Sequence, residues 1–212
     1  SAASDVYKRQ DSRFQVLSEL TRLRQLCCDP ALVYENYEGG SAKLDLCIEL
    51  IQSAVESGHK ILLFSQFTSM IEILTARLQE ESISYFVLQG STKKEQRAQM
   101  VEQFNRDDTS VFCISLKAGG TGLNLTGADI VIHYDPWWNV AVENQATDRA
   151  HRIGQKNVVT VYKLIAKGTI EEKIIKLQQR KKELAEEILS GDEIKTASFQ
   201  REELLELLEE RF

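Results

Sequence analysis

"HKILLFSQFTSMIEILTARLQEESISYFVLQGS", residues 59–91, sets two short apolar runs on either side of a stretch with a different period. In "KILLF" (60–64) and "YFVL" (85–88) the apolar residues are continuous, as in strands covered on both faces. Between them, "TSMIEILTARLQEE" (68–81) spaces its apolar residues by three and four, the period of an amphipathic helix. Downstream, "TKKEQRAQMVEQFN" (92–105) predicts another helix, and "VFCIS" (111–115), "IVIHY" (130–134) and "VVTVYKL" (158–164) predict three more strands. The expected fold class is α/β, a three-layer open sandwich with a mostly parallel sheet.

Helices flank this alternation. Residues 13–33 place Val16, Leu20, Leu23 and Leu26 or Cys27 at helical spacing until Pro30 ends the pattern. Ser41 is positioned to cap "AKLDLCIELIQSAVES" (42–57), which Gly58 stops. After Gly168 a long charged helix carries an apolar stripe of Ile170, Ile174, Leu177, Leu184 and Ile188, which should pack along the domain. "SFQREELLELLEERF" (198–212) predicts a further amphipathic helix. The expected division is a disordered or artificial leader (1–12), a leading helical segment (13–40), the sheet domain (41–168) and a helical extension (169–212).

With 42% hydrophobic and 27% charged residues, the 212-residue chain has a globular composition. No apolar run approaches the roughly 20 residues that span a bilayer, and the polar start has no signal-peptide core. An intracellular location, with no membrane partner, is therefore expected: cytoplasm or nucleoid in a prokaryote, nucleus in a eukaryote. Cys27, Cys28, Cys47 and Cys113 lack metal-ligand spacing, so they read as reduced, mostly buried thiols and no metal site is expected. The net charge of −6 is unevenly placed, because residues 183–212 hold ten acidic and three basic side chains. The rest is close to neutral, which leaves room for a local basic groove.

In open parallel sheets, ligands sit beyond the carboxyl ends of the strands. The polar stretches "SQFT", "QGS", "LKAGGTGLN" and "DPWWN" all follow strands. In "KAGGTGLN" (117–124) the glycines let backbone amides approach a phosphate or ribose, and Thr121 and Asn124 can bond its oxygens; a plain tight turn is the other reading. No Gly-Lys-Ser/Thr occurs, so it is not a Walker A loop. In "DPWWNVAVENQATDRAHRIGQK" (135–156), a helix over 140–154 would set Gln145, Arg149 and Arg152 on one face. Two guanidinium forks so placed suit phosphate oxygens. The alternative is a solvated face with Glu143 and Asp148 pairing locally.

Taken in order, "LTRLRQLCCDP", "KILLFSQFT", "LQGSTKKEQRAQMVEQFN", "VFCISLKAGGTGLNLTGADIVIHYDPWWN", "ENQATDRAHRIGQ" and "VVTVYKLIAKGTIEEKI" resemble the C-terminal RecA-like lobe of Swi/Snf-type ATP-dependent DNA translocases of helicase superfamily two. The resemblance covers about residues 14–190, and "DRAHRIGQ" is its most specific part.

The resemblance implies roles, residue by residue. "KILLFSQFT" is similar to motif IV and "ISLKAGGTGLNLTGAD" to motif V, in which Gly122 and Asn124 would lie near nucleotide while Ser115, Lys117 and Ala118 would face nucleic-acid backbone. Ser65, Gln66, Gln89 and Gly90, in the other strand-end loops, would also contact DNA. "QATDRAHRIGQ" is similar to motif VI. Gln145 would lie at the interlobe cleft, Arg149 would meet phosphate or an acidic partner, and Arg152 would be the arginine finger. Trp138 matches a tryptophan beside DNA, with scaffold packing the competing reading; core packing is expected for Trp137. The chain departs from a common family pattern at Val140, where proline often follows "WN".

The helix after "KGTIEEKI" resembles the family's brace. Walker A and the Mg2+ carboxylates belong to the family's first lobe, so ATP and Mg2+ are expected to be held mainly there, and the fragment alone is expected to be inactive. Expected partners are double-stranded DNA, the N-terminal RecA-like lobe and a possible nucleoprotein substrate. The alternative is a non-catalytic protein-interaction module that retains the fold.

Overall fold

The computed structural model describes residues 2–116 and 123–189, with side chains described over 15–116 and 123–182. Its elements run α1 (Ala2–Cys28), a 3-10 turn (Pro30–Leu32), α2 (Ala42–Glu56), β1 (Ile61–Ser65), α3 (Thr68–Glu80), β2 (Tyr85–Leu88), α4 (Lys94–Arg106), β3 (Val111–Ser115), β4 (Ile130–His133), α5 (Val140–Thr147), β5 (Thr160–Lys163) and α6 (Ile170–Leu189). The five strands form one parallel sheet in the order β2-β3-β1-β4-β5. This is the open, parallel α/β sandwich expected from the alternating pattern.

The period of two in a strand divides the core. Ile61, Leu63, Val111, Cys113, Ile130 and Ile132 face one layer with Ile48 and Ile51 of α2 and Met70, Ile71 and Leu74 of α3. Leu62, Phe64, Phe112, Ile114 and Val131 face the other, with Phe104 of α4 and Ala146 of α5. Each large apolar side chain fully buried there contributes about 1.5–3 kcal/mol. Burial also pushes the Cys47 thiol up to about 12 and the Cys113 thiol further, which keeps both protonated and apolar in character.

Two elements differ from the sequence expectation. The leading helix begins at Ala2, so the backbone of the leader is helical too; no proline or glycine precedes Pro30 to interrupt it. β5 was expected within a continuously apolar run, yet all four of its residues are exposed. It is an edge strand, with a neighbour on one side only. The segment 198–212 lies outside the described residues.

A third apolar cluster seats the flanking helices. Leu20 of α1 meets Ile170, Ile174 and Leu177 of α6, with Val16, Leu23, Cys27 and Trp138 packed around them. Buried Tyr134, just after β4, donates its hydroxyl to the Cys28 carbonyl at 2.9 Å and ties the end of α1 to the sheet. The start of α6 is tied by the buried Lys43–Glu171 pair, at 2.7 Å. From β3 the chain crosses β1 to reach β4, so the strand order reverses at the middle of the sheet. A crevice is expected at that reversal, beyond the carboxyl ends.

Candidate functional site

The ends of β1 and β4 meet at a buried carboxylate. Asp135 is 1% exposed and accepts from Ser65 Oγ at 2.5 Å and from the Gln66 amide. Burial pushes its proton affinity up, while the Ser65 bond and the nearby Arg24 charge oppose that. Ser65 Oγ also accepts from the Phe67 amide at 3.2 Å. Ser65 is therefore wholly engaged in shaping this loop.

Ser65, Gln66 and Ser115, expected to face nucleic-acid backbone, are 0%, 7% and 0% exposed. The pleat turns the last residues of the two central strands inward, so their side chains build the rim and do not line its surface. Gln89 is half-buried and Gly90 exposed. Arg97 of α4 holds their loop by donating to the carbonyls of Gly90 at 3.1 Å and Thr92 at 2.8 Å. Lys117, Ala118 and Gly122 lie outside the described residues.

Asn124 is exposed at the far end of the glycine-rich loop, and its carbonyl accepts from Asn105 Nδ2 at 2.8 Å. Asn105 Oδ1 accepts from the Gly127 amide at 2.9 Å. A Cβ at position 127 would lie 3.0 Å from Asn105 Cα, so this close approach requires glycine.

The arginine-bearing segment differs from expectation. The helix covers only Val140–Thr147, and Arg149 and Arg152 lie beyond it in turns. The helix tightens into i−3 bonds at its end, Arg149 N to Ala146 O at 3.3 Å and Ala150 N to Thr147 O at 3.1 Å. Tertiary bonds then take the carbonyls that would let it resume: the Leu125 amide donates to Arg149 O at 3.0 Å and Gln155 Nε2 to Ala150 O at 3.1 Å. Gln155 also donates to Ala128 O at 2.7 Å, stapling the segment to the turn that leads into β4. Gly154, at φ +108°, completes the break. Gln145, Arg149 and Arg152 consequently share no helical face: Gln145 and Arg152 are exposed, whereas Arg149 is 3% exposed.

Arg149 sits 5.5 Å above the Phe64 ring, which stacks on His133. Burial, and then the neighbouring Arg152 charge, lower its proton affinity to about 10, so it stays cationic at neutral pH. Two like charges held together beside a sheet's carboxyl edge are stabilised by an added anion.

The alternative reading had Glu143 pairing locally on a solvated face, but it is 1% exposed. One carboxylate oxygen accepts from the Trp137 amide and Gln178 Nε2, both at 3.1 Å, and the other meets Lys163 Nζ at 2.7 Å. Burial raises its proton affinity; the Lys163 and Trp137 contacts outweigh that and hold it below the usual carboxylate range. Trp137 is half-buried against the α4–α5 layer, in line with the core role expected of it. Trp138 is half-buried too, packed on the α1–α6 cluster with the Arg24 guanidinium 4.6 Å from its ring. Sequence reasoning missed Arg24, Glu143, Gln155 and Gln178 as organisers of the rim. For Arg24 the available signal was a lone arginine on the apolar side of α1, one position after Leu23.

Residues 42–154 match the family model of the helicase conserved C-terminal domain. Over 92% of this chain and 81% of the other, the fold superposes on the Sulfolobus solfataricus SWI2/SNF2 ATPase C-terminal domain with a TM-score of 0.70 and 33% identity. The chain belongs to the helicase C-terminal domain family, in its SWI2/SNF2 branch. The S. solfataricus SWI2/SNF2 ATPase core in complex with dsDNA is 34% identical, with a TM-score of 0.70 over 88% of this chain and 41% of that one. An uncharacterized ATP-dependent helicase of Mycoplasma pneumoniae is 45% identical over 93% of this chain. The chain spans about a fifth of the length of the curated relatives it matches. It thus corresponds to the C-terminal, helicase-like lobe of SWI2/SNF2-type proteins. Among the described residues, no helix of this lobe is long and apolar enough to cross a membrane.

Proposed function

We propose that this domain is the second motor lobe of an ATP-dependent double-stranded DNA translocase, presenting Arg152 and Arg149 to ATP held with Mg2+ by a first lobe. The observation that carries this reading is the exposed Arg152 beside the buried, cationic Arg149, on a segment stapled to Leu125 and Ala128, the residues between the glycine-rich loop and β4. Arg152 is set to supply charge to a phosphoryl group in transfer; Arg149, fixed over Phe64, is set to supply a preorganised cation behind it. Asn124 and Gln145, exposed nearby in the flanking segments, are the polar side chains available to nucleotide, together with the backbone at Gly122.

For DNA, the proposed surface is the rim of strand-end loops: Gln89 and Gly90 together with Lys117 and Ala118, shaped from beneath by Ser65, Gln66 and Ser115. Contacts of this kind go to the phosphate backbone, so binding should weaken with salt and show little sequence preference. The name of the dsDNA-bound relative supports this choice of partner. We place the protein inside the cell, on DNA or nucleoprotein, and expect this lobe alone to hydrolyse no ATP.

The test is Arg152→Ala in the longer protein that contains this lobe. DNA-stimulated ATP hydrolysis should fall by about 10³ or more while DNA affinity is largely kept, since an arginine finger acts on transition-state charge. A loss under about tenfold would place Arg152 outside the reaction.

A further inference from the structure

Three backbone groups of the 136–138 loop are claimed by side chains from three different helices. Arg24 of α1 donates to Pro136 O at 2.8 Å, Glu143 of α5 accepts from the Trp137 amide, and Gln178 of α6 donates to Trp137 O. All three side chains are buried, at 4%, 1% and 6% exposure. Arg24 also covers the Trp138 ring and lies 5.7 Å from Phe67 of the β1 loop. Gln178 bonds Glu143 as well as the loop, so α5 and α6 are joined there.

We infer that Arg24, Glu143 and Gln178 are positioning residues that make the placement of Trp138 depend on the seating of α1 and α6. The end of β1 holds the chain at Asp135, just before the loop. Beyond that point α1 and α6, the helices that lead into and out of the domain, bond the Pro136 and Trp137 carbonyls, and Glu143, which Gln178 of α6 also bonds, takes the Trp137 amide. Such groups must be satisfied when buried, so a shift of either helix obliges the loop to move with it or lose a bond. α1 and α6 pack on each other through Leu20, Ile170, Ile174 and Leu177, and Trp138 lies on that seam. A displacement of the pair therefore reaches Trp138 through contacts of its ring and through the backbone of the two residues before it.

The two tryptophans of the chain are adjacent in this loop, so intrinsic fluorescence reports it directly. The test compares the parent chain with Arg24→Met, Gln178→Leu, Glu143→Ala and the conservative Glu143→Gln. Far-UV ellipticity and melting temperature serve as controls for folding. Arg24→Met and Gln178→Leu should raise the acrylamide quenching rate of the tryptophans by about twofold or more, because the loop opens locally while the sheet stays folded. Glu143→Ala should do the same. Glu143→Gln, which keeps an acceptor for the Trp137 amide, should stay near the parent value.

Gln178→Leu replaces an amide by an apolar group of similar size and leaves the sheet untouched, so it carries the test if Glu143→Ala does not fold. Unchanged emission and quenching in folded Gln178→Leu and Arg24→Met would overturn the inference. Only a second arm rests on the motor reading: in the longer protein the same two variants should lower kcat of DNA-stimulated hydrolysis by about tenfold with KM for ATP unchanged, as expected when a group is misplaced and not removed. Altered quenching without the kinetic change would leave the loop clamp standing and count against the motor reading.

Discussion

The interior of the sheet is buried throughout, whereas the segment from Asp135 to Gln155 buries only part of its residues, and the two bury what they do by different physics. In β1, β3 and β4 every residue is buried and nearly all are apolar, so one large aliphatic side chain can stand for another at modest cost. In 135–155 the buried residues include Asp135, Glu143 and Arg149, and Asp135 and Glu143 are held by specific partners on other elements. Volume decides the first region, and matching of donors, acceptors and charges decides the second.

The largest expected effect tests the apolar half. Phe112 is fully buried, 5.2 Å from the Phe104 ring and 5.9 Å from the Phe86 ring. Phe112→Ala should cost about 3–5 kcal/mol in denaturant unfolding. Phe112→Leu should cost much less, and an equal loss in both variants would show that ring geometry, not volume, governs this layer.

Next comes pH, which acts on the polar half. Burial lowers His133 to about 4, with Glu143 opposing and Lys163 assisting. As pH falls below about 6.5, the unfolded chain takes up a proton that the folded one refuses until about 4. Glu143, held below the usual carboxylate range when folded, pushes in the same direction. Stability should therefore be full above about pH 6.5 and decline toward pH 4, by on the order of 3 kcal/mol from His133. His133→Gln, which can still bond Thr147 Oγ1, should flatten that slope in melts recorded across the range.

A smaller effect is expected at the join between the regions. Gly127→Ala would press a methyl on Asn105 and the Phe104 carbonyl and should cost about 1–3 kcal/mol. A neutral result would mean that the end of α4 gives way freely. The smallest expected change is at Val158, which is 88% exposed. Val158→Thr should alter stability by less than about 0.5 kcal/mol.

Much of the fold was legible because periodicity reports burial. "YFVL" and "VFCIS" are β2 and β3 to the residue, and Ser41 caps α2 as its type and position indicated, accepting from the Leu44 amide at 3.3 Å. Periodicity misled where tertiary bonds outcompeted the helix. Residues 140–154 have a helical pattern, yet Leu125 and Gln155 take the carbonyls at 149 and 150. The same competition removed the shared face assigned to Gln145, Arg149 and Arg152. Ser65 illustrates another limit of pattern, since a polar residue at a strand end is equally compatible with facing a ligand and with satisfying a buried carboxylate. Ser65 satisfies Asp135.

The sequence by itself determined the α/β class, most strand and helix positions and, through "DRAHRIGQ" and its neighbours in order, the family. Those properties follow from local pattern and motif order, which need no knowledge of distant contacts. Only the tertiary structure decided which polar residues are exposed, that Arg149 is buried while Arg152 is not, and that Arg24, Glu143 and Gln178 converge on one loop from positions far apart in the chain. The physical reason is that a buried polar group is satisfied by whatever donor or acceptor the packing brings to it, and sequence spacing does not encode that meeting.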